Sequence, residues 1–599
     1  MLRHILTVAV IFIALAAAAA NETQQAHYDA CYQGTPITLQ KAQLPRIPDR
    51  EVSVISYGAV GDGVTLTTEA IQKAIDDIAA KGGGHVIIPQ GIWLITTLQM
   101  RSNVDIHLER NALLQQTPDK SKYVRMPGYN RFYPCLYGED LHDISITGAG
   151  AVDGSGKYWR PVKRAKMSDV EWNQYIALGG TLEENGRLWM PSGLKHFDDV
   201  TASTQKEEAL RSDLFRPTRC DRVLVQGITF QNSPRFTVHP CQCTNLVIDG
   251  VTARSPWNVQ NADGIDLSNC RRCLVVNSYV DCGDDGLCLK SGTGEAGVKA
   301  GPCQDILIQD CNVAHAHGGF VMGSDVSGGM DKIVVRRCMF SNTDIGLRFK
   351  SAVGRGGTTS NVFIHDIVMT DIVNEAVMFN CGYADNRYSA ASAEKRDEKK
   401  FTETPPYAPD FQNMIIERVT CREAKTAVKA QGIDGLQCIH GITIRNSVFF
   451  YREKATEIDD ATAQLTLDNV RLETFAKKPT AMIPNGDADA NGYMHIADEP
   501  AINIFRVDAN VCSGIDGTPN DTAVLIRSHS NPNLTIEYAF SMNREHKGRL
   551  IVNGSPVDNV GNALHDGYVY YNLSPYANDL YVWGVQRNFP MSEYLFSAR

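Results

Sequence analysis

Four aspartates suited to acid–base chemistry lie in one short stretch of the chain. Asp263 and Asp266 precede an apolar strand pattern, and Asp284 and Asp285 follow it. Carboxyl groups within a few ångströms of one another cannot all ionise freely, so at least one keeps its proton to a higher pH. A protonated acid beside ionised carboxylates suits glycosidic hydrolysis, because the acid protonates the departing oxygen while a carboxylate activates water. By itself, however, the pair Asp284–Asp285 is more typical of a solvated acidic turn.

The residues that follow favour a catalytic site. His317 precedes two glycines, and Arg348 and Lys350 lie two positions apart. Alternate residues of a strand point to the same side, so this arginine and lysine form a pair suited to a carboxylate ligand. Acids, a histidine and a cationic pair at successive positions indicate a site for an acidic substrate. His239, which precedes Pro240, is either a further substrate contact or a structural histidine in a turn.

A short apolar–x–apolar pattern repeats along most of the chain and predicts the scaffold. From Val223 to Val362 its starts are 23, 28, 32, 27 and 29 residues apart. One short strand and no helix per repeat predict a parallel β-solenoid, whereas a propeller needs about four strands in about 40 residues. Strands of successive coils lie about 4.8 Å apart, so Asp263 is expected to stack beneath Asp284, 21 residues later. The copies are Ile144–Ile146, Val223–Val225, Leu246–Ile248, Leu274–Val276, Ile306–Ile308, Ile333–Val335, Val362–Ile364, Met414–Ile416, Ile442–Ile444 and Leu465–Leu467.

The N-terminus predicts an exported protein, periplasmic or extracellular. Residues 1–20 combine a short polar start, an apolar core and a small-residue cleavage site, Ala18–Ala20. The alternative, a membrane anchor, would need a span of about 20 apolar residues, and no later segment predicts a membrane span. The 599 residues carry a net charge of −10 and no basic stripe, which argues against a nucleic-acid partner.

The chain is predicted to contain a central catalytic solenoid with distinct ends. Thr67 or Thr68 is expected to cap an amphipathic helix that closes the solenoid's N-terminal end. Residues 158–211 and 384–409 interrupt the repeat, either as insertions at the binding face or as surface loops. Alternating strand patterns near the C-terminus predict a small antiparallel module. The predicted segments are the export signal 1–20, a leader 21–50, the solenoid 51–476, a linker 477–492 and a β-rich module 493–599.

Sixteen cysteines in an exported chain invite a disulfide interpretation. Several of them, however, stand just before strands of the same pattern, where they would stack as small buried side chains. Free buried thiols are therefore the favoured prediction, and disulfide pairing remains the alternative. The residues of this predicted ladder are Cys220, Cys243, Cys273 and Cys303.

Taken together, the motifs resemble glycoside hydrolase family 28, the polygalacturonases. The matching segments are Asn261–Asp263, Gly283–Asp285, His317–Gly318 and Arg348–Lys350. The resemblance extends from Val52 to Leu467 and includes a glycine-rich opening typical of pectin-active β-helices.

The resemblance implies an all-β, right-handed parallel β-helix that hydrolyses α-1,4-linked galacturonate in pectic polysaccharides with inversion. No metal or other cofactor is expected. By position, Asp284 is implied to be the general acid, Asp263 and Asp285 to activate water, and His317 to tune the acid. The implied substrate contacts are Arg348 and Lys350, which would hold a carboxylate, together with Asn261, Lys290 and Tyr383.

Some residues depart from the family pattern. Ala262 stands where threonine is common, and Ala316 stands where glycine usually precedes the histidine. The segment HGGFVMGSDVSGG, residues 317–329, resembles the exo-acting bacterial members, which remove units from chain ends. The interruptions at residues 158–211 and 384–409 could block one end of the groove. Together with this segment they predict exo action.

Three alternatives stay open. A pectate lyase on the same scaffold would use the aspartates as oxygen ligands for Ca²⁺, with Arg348 as base. A hydrolase of this family could instead act on rhamnogalacturonan or decorated pectin. A non-catalytic β-helical carbohydrate binder would tolerate Asp284→Asn with only weaker binding.

Overall fold

A computed structural model describes residues 22–127, 131–164, 169–177, 179–183, 186–191, 211–383 and 401–474. It also describes residues 502–508, 521–528, 530–531, 533–540, 549–556, 568–573, 576–577, 580–585 and 594–598. The predicted export signal and linker lie outside the described residues. Within the described part of the chain, no helix combines the length and apolarity needed to cross a bilayer.

The chain divides into two compact units. One comprises residues 1–159 and 205–474, and the other comprises residues 160–204 and 475–599. The predicted domain boundaries therefore remain predictions, while the described parts of each unit have a clear architecture.

The first unit is a parallel β-helix in which each coil supplies one strand to each of three parallel sheets, called sheets A, B and C. One coil runs through Thr244–Asp249 in sheet A, Thr252–Arg254 in sheet B and Ile265–Ser268 in sheet C. Each strand pairs in parallel with its counterpart in the next coil. The predicted all-β, right-handed parallel β-helix is confirmed.

The strands of sheet A are Glu51–Ser53, Gly84–Ile88, Val104–Leu108, His142–Gly148, Asp221–Gln226, Thr244–Asp249, Arg271–Val276, Cys303–Gln309 and Met330–Arg336, followed by the long strands Thr358–Thr370, Asp410–Gln431, Ile439–Ile458 and Ala463–Thr474, which run on into the neighbouring sheets. Sheet B contains Asp62–Leu66, Gly91–Ile95, Ala112–Gln116, Ala151–Asp153, Thr229–Gln231, Thr252–Arg254, Tyr279–Asp281, Asn312–Val313 and Met339–Ser341. Sheet C contains Leu98–Gln99, Leu136–Glu139, Phe215–Thr218, Ile265–Ser268, Asp285–Lys290, Gly318–Met322, Leu347–Lys350 and Glu375–Asn380. Short helices lie at Val54–Tyr57, Lys120–Lys122, Gly156–Tyr158 and Gly294–Ala300.

The N-terminal end of the β-helix is closed by the predicted helix, which spans Thr68–Ala80. Thr67 occupies the N-cap position but its side chain makes no capping hydrogen bond. Gly83 follows the helix with φ of +101°, and a Cβ there would lie 2.1 Å from the Asn103 carbonyl oxygen, so only glycine fits. The buried face of the helix is the predicted one: Ile71, Ala74, Ile75 and Ile78.

The bends between sheets A and B have a repeated conformation. From the strand Asp221–Gln226 onward, the residue at this bend adopts a left-handed φ, which favours asparagine, aspartate and glycine. Arginine occupies the same position in two coils, where a carboxylate one coil earlier binds it: Arg337 Nε donates to Asp310 at 2.7 Å and Arg418 Nε donates to Asp366 at 2.6 Å. The bend residues from the strand Arg271–Val276 onward are Asn277, Asp310, Arg337, Asp366, Arg418, Asn446 and Asn469.

Sheet A is buried on both faces in the coils from Asp221 to Arg336, because the leader segment covers its outer side there. Tyr28, Tyr32 and Leu44 of the leader pack against a row of outward-facing apolar residues. Strands buried on both faces read as continuous apolar runs rather than alternating ones, which explains the apolar triplets of the repeat. The covered residues of sheet A are Leu224, Val247, Leu274, Val276, Leu307 and Val334.

The cysteine prediction holds for the part of the chain that the structure describes. All fifteen cysteines there are free, and the four ladder residues are buried. Cys273 aligns with Leu246 of the preceding coil, so Cys273, and not Leu274, begins the inward-facing pattern in its strand.

The described part of the second unit contains the helix Asp169–Ala177 and antiparallel strands. The predicted β-rich character of the C-terminal region is confirmed, because its strand pairs are antiparallel. Its strands are Val162–Lys163, Thr181–Glu183, Leu188–Met190, Ile502–Asp508, Asp521–Ser528, Ile536–Phe540, Arg549–Val552, Ser555–Pro556, Tyr568–Asn572, Leu580–Val585 and Tyr594–Ala598.

We expect Tyr28→Ala to destabilise the β-helix by about 3–5 kcal/mol, the usual cost of truncating a buried aromatic residue. The Tyr28 ring is buried and its hydroxyl donates to Asp249 at 2.9 Å. Thermal unfolding followed by circular dichroism measures the effect, and exposed Glu22→Ala is the matched control in the same segment. Equal unfolding midpoints for the two variants would show that the leader does not stabilise sheet A.

Candidate active site

Sheet C brings the predicted site residues together. The aspartates lie on or just before the strands Ile265–Ser268 and Asp285–Lys290, and the cationic pair lies on Leu347–Lys350. Gly318–Met322 lies between them and begins directly after His317. Because neighbouring parallel strands are only about 4.8 Å apart, residues far apart in sequence meet on this face.

The register of sheet C changes one predicted contact. Ile265 pairs with Leu287, an offset of 22 residues. Continuing this register places the backbone of Asp263 level with Asp285 and not with Asp284, one residue from the predicted register. The two carboxyl groups that were predicted to stack still interact, because the charge of Asp284 raises the pKa of Asp263 more than the charge of Asp285 does. The one-residue difference arises because the turn before Asp284 sets the register of sheet C. The spacing of the apolar triplets, which belong to sheet A, does not reveal the length of that turn.

Asp284 lies at a tight turn. Gly283 precedes it, and a Cβ on Gly283 would lie 2.1 Å from the Val259 carbonyl oxygen, so glycine is required for this close approach. The Asp284 carboxylate accepts the N–H of Asn261 at 2.8 Å and the N–H of Asp285 at 3.0 Å. Asn261 thus contacts the acid through its backbone.

His317 is the side chain closest to Asp284 that can tune its charge. Its Nδ1 lies 3.2 Å from Asp284 Oδ1, and its Nε2 lies 3.8 Å from Asp344 Oδ2. Burial raises the pKa of Asp284, but His317, the Asn261 N–H and Lys350 together outweigh burial and hold the pKa well below its usual range.

Asp285 is held by the predicted cationic pair. Lys350 Nζ donates to its Oδ2 at 2.7 Å, and Arg348 Nη1 lies 3.4 Å from its Oδ1. Burial raises the pKa of Asp285, but the two cations outweigh burial and lower it. The ring of Tyr383 lies beside both, 5.1 Å from Lys350 Nζ and 5.8 Å from the Arg348 guanidinium carbon. These two predicted substrate contacts therefore also neutralise the charge of Asp285, a carboxylate that is predicted to activate water.

Asp263 shares one lysine with a second aspartate. Lys290 Nζ donates to Asp263 Oδ2 at 2.9 Å and also to Asp266. Burial raises the pKa of Asp263, and neighbouring carboxylates raise it further, although Lys290 opposes them. Because one lysine cannot neutralise two carboxylates, one negative charge remains uncompensated, and this favours protonation of Asp263. Asp266, which the sequence left without a role, is thus part of this network.

The other oxygen of Asp263 has a distinct environment. Within the described residues, Asp263 Oδ1 is buried and has no hydrogen-bond partner. Buried carboxyl oxygens are rarely left unpaired, so this atom is suited to hold a proton or to bind a water molecule. Only the second role agrees directly with the predicted function of Asp263, because a carboxyl group must be ionised to activate water.

His239 lies in a second polar cluster of sheet C. Its Nδ1 lies 2.9 Å from Asp213 Oδ2 and its Nε2 lies 3.0 Å from Ser268 Oγ. Asp213 also binds the guanidinium groups of Arg216 and Arg235, at 3.3 and 2.9 Å. Both ring nitrogens of His239 thus have protein partners, and its role as a direct substrate contact stays a prediction.

His239 borders a cavity of about 330 Å³ next to the acids. We call it the arginine pocket, because four arginines and Lys290 line it. Burial and the charges of Arg235 and Arg216 lower the pKa of Arg131, which is typical of cations crowded around an anion site. Sequence reasoning missed this pocket, since its arginines belong to no motif. The cationic residues that line it are Arg131, Arg216, Arg219, Arg235 and Lys290.

The acidic cluster is a poor fit for the Ca²⁺ of the lyase alternative. Ligand atoms of Asp284, Asp285 and His317 lie within 4.8 Å of one another. Ca²⁺ prefers six to eight oxygen ligands, whereas this set includes an imidazole, and Asp285 already binds Lys350 and Arg348. A cation here would have to compete with two protein cations.

Comparison with known proteins agrees with this geometry. The family model "Glycosyl hydrolases family 28" matches residues 136–466, and the model "Rhamnogalacturonase A/epimerase, pectate lyase-like" matches residues 51–107.

Individual relatives are about a quarter identical to this chain over the aligned residues. An exo-poly-α-D-galacturonosidase of Dickeya chrysanthemi is 27% identical over 469 residues, which are 73% of this chain and 73% of the relative. A probable polygalacturonase of Vitis vinifera is 26% identical over 411 residues, covering 65% of this chain and 74% of the relative. The crystal structure of a hyperthermoactive exopolygalacturonase from Thermotoga maritima superposes with a TM-score of 0.59 at 27% identity, covering 72% of this chain and 94% of the other.

The match to the family model covers more than half of the chain and includes the predicted acids, His317, and the pair Arg348 and Lys350. The fold is the predicted β-helix, and its sheet C carries both the cluster of aspartates and the cationic pair, as the motifs predict. The chain belongs to the glycosyl hydrolases of family 28.

Proposed function

We propose that the protein hydrolyses α-1,4-galacturonosidic bonds of pectic polysaccharides with inversion. The observation that carries the proposal is that cations flank the acidic cluster on both sides along sheet C. The arginines of the pocket lie before the acids in the chain, and Arg348 and Lys350 belong to the coils after them. A polysaccharide with a carboxylate on every sugar matches such a row of cations, because guanidinium and ammonium groups bind carboxylates strongly.

In the proposed reaction, Asp284 is the general acid, and Asp263 and Asp285 activate the attacking water. Lys290 and Lys350 hold the latter two carboxylates in place. An inverting glycosidase needs one protonated and one ionised carboxyl group. Ligand atoms of Asp284 and Asp285 lie within 4.8 Å of each other, closer than the roughly 6.5–9.5 Å usual between inverting carboxyl groups, so inversion is proposed from the family motifs alone. The cluster supplies one acid and two possible bases.

Substrate binding is proposed to move the proton to Asp284. In the free protein, the raised pKa of Asp263 and the lowered pKa of Asp284 favour a proton on Asp263. A substrate carboxylate beside Arg348 and Lys350 would offset part of the positive charge that keeps Asp284 ionised. The pKa of Asp284 would then rise, since a nearby negative charge disfavours ionisation of a carboxyl group.

We further propose exo action and export. The exo-acting Dickeya relative and the Thermotoga structure support removal of units from chain ends, and the arginine pocket offers a carboxylate site for a terminal sugar. Export rests on the signal pattern of residues 1–20. The linker and module boundaries, 477–492 and 493–599, are proposed on composition alone.

We expect Asp284→Asn to lower kcat by about 10³-fold or more, in line with the loss of a general acid. Asparagine keeps the size of the side chain, so binding of oligogalacturonate, measured by calorimetry, should persist. Asp310→Asn, in a surface ion pair of sheet A, is the control and should hydrolyse normally. Turnover retained in the Asp284 variant would exclude this residue as the acid.

We expect Lys350→Met to shift the acid limb of the pH profile of kcat/KM to higher pH. Lys350 lowers the pKa of Asp285, so its loss raises that pKa, and the carboxylate is then protonated at a higher pH. The matched control is Lys429→Met, a lysine of the same unit that pairs with Glu375. An unchanged acid limb with only a raised KM would mean that Lys350 acts on substrate alone.

The products of polygalacturonic acid distinguish the two modes of cleavage. Exo action predicts monomer alone from the first time point, and endo action would give mixed oligomers.

Arg131→Leu should raise KM about 10-fold with little change in kcat, because it removes a cation of the arginine pocket. Arg101→Leu, an exposed arginine paired with Asp76, is the control. Mixed oligomers from the unmodified enzyme would contradict the exo proposal.

A further inference from the structure

A cysteine with unusual partners lies in the wall of the arginine pocket. In sheet C, Cys241 pairs in parallel with Thr218 of one coil and Ser268 of the next. Its side chain is largely buried, 6% exposed, but borders the cavity. It is thus reachable from the pocket and shielded from bulk solvent.

Cys241 forms a chain of contacts with a histidine and an aspartate. Its Sγ lies 3.4 Å from His239 Nε2, and His239 Nδ1 lies 2.9 Å from Asp213 Oδ2. Asp213 is fully buried and orients the imidazole as the aspartate of a nucleophile–histidine–acid triad does. Ser268 Oγ shares His239 Nε2 at 3.0 Å. The geometry therefore places the imidazole ring of His239 next to the sulfur.

The charges around the sulfur favour a thiolate. Burial raises the pKa of the Cys241 thiol, but His239 and Arg216 outweigh burial and lower it. The pKa of His239 is raised to about 9: burial lowers it, but Cys241 and Asp213 outweigh burial. The groups that face this pair also include Arg235, which binds Asp213. Low-pKa cysteines beside an imidazolium are the reactive ones in proteins.

Two other cysteines provide internal comparisons. Burial is the largest effect that raises the pKa of Cys31, the one cysteine among the described residues that is not buried. Cys288 lies 3.3 Å from Lys290 Nζ, yet burial raises its pKa well above the usual value. Proximity to a lysine is therefore insufficient, and the histidine–aspartate pair distinguishes Cys241.

We propose that Cys241 is a nucleophilic thiolate and a covalent modification site, and that the arginine pocket selects electrophiles that carry a carboxylate. With a haloacetate, the sulfur attacks the methylene carbon, the carbon–sulfur bond forms, and the carbon–halogen bond breaks with release of halide. The thioether product keeps the carboxylate in the pocket beside the arginines. This inference goes beyond hydrolysis and does not depend on it.

The test is alkylation of the full-length protein by iodoacetate and by iodoacetamide. The two reagents differ in charge but release the same halide, iodide. Site-resolved mass spectrometry gives the rate at each cysteine. We expect the ratio of the iodoacetate rate to the iodoacetamide rate to be at least about 10-fold higher at Cys241 than at Cys31, the lower end of electrostatic enhancement by a charged cleft. A ratio equal to that at Cys31, or no modification of Cys241 in the folded protein, would overturn the proposal.

Two variants separate the effects of the imidazolium and of the pocket. His239→Gln should lower both alkylation rates at Cys241 about 10-fold or more, because the thiolate loses its partner. Arg131→Leu should lower the iodoacetate rate alone, which keeps the test valid if the histidine variant folds poorly. Unchanged rates in His239→Gln would show that the histidine does not activate the sulfur. The readout is independent of hydrolysis, so failure of the proposed function would leave it intact.

Discussion

The buried carboxylates of sheet C can be charged only because cations lie against them. An isolated buried ion costs several kcal/mol, and removing one member of a buried pair leaves that cost uncompensated. Lys350 binds Asp285, while Lys290 is divided between Asp263 and Asp266. This unequal distribution of positive charge raises the pKa of Asp263 and lowers the pKa values of Asp284 and Asp285, so the three carboxyl groups differ in how readily they hold a proton.

The parallel β-helix makes this arrangement possible. Strands one coil apart fix the spacing of side chains along sheet C, and the turns between strands accept insertions without disturbing the sheet. The left-handed bends and the covered outer face of sheet A keep successive coils in register. Because a register shift of one residue would turn every side chain to the opposite face, the same packing that stabilises the coils also positions the acids.

The arginine pocket and Cys241 depend on the same electrostatics. Asp213 is buried among two arginines and a histidine, and the pKa of its carboxyl group lies well below the usual range because these charges outweigh burial. The surplus of positive charge that remains suits a carboxylate ligand. It also stabilises a negative sulfur, so one cluster accounts for both the predicted substrate site and the proposed reactivity.

The scaffold and most residues of the candidate site could be predicted from the amino-acid pattern alone. The apolar triplets and the polar bends predicted the coils, and the aspartates, His317, Arg348 and Lys350 stood out by type and spacing. Only the tertiary structure decided that Asp263 lies level with Asp285 and that Asp266 shares its lysine. It also brought Asp213 to His239 and Cys241 and laid the leader on sheet A. These contacts join residues on different coils, and their register depends on turns whose lengths vary from coil to coil, which no local pattern encodes.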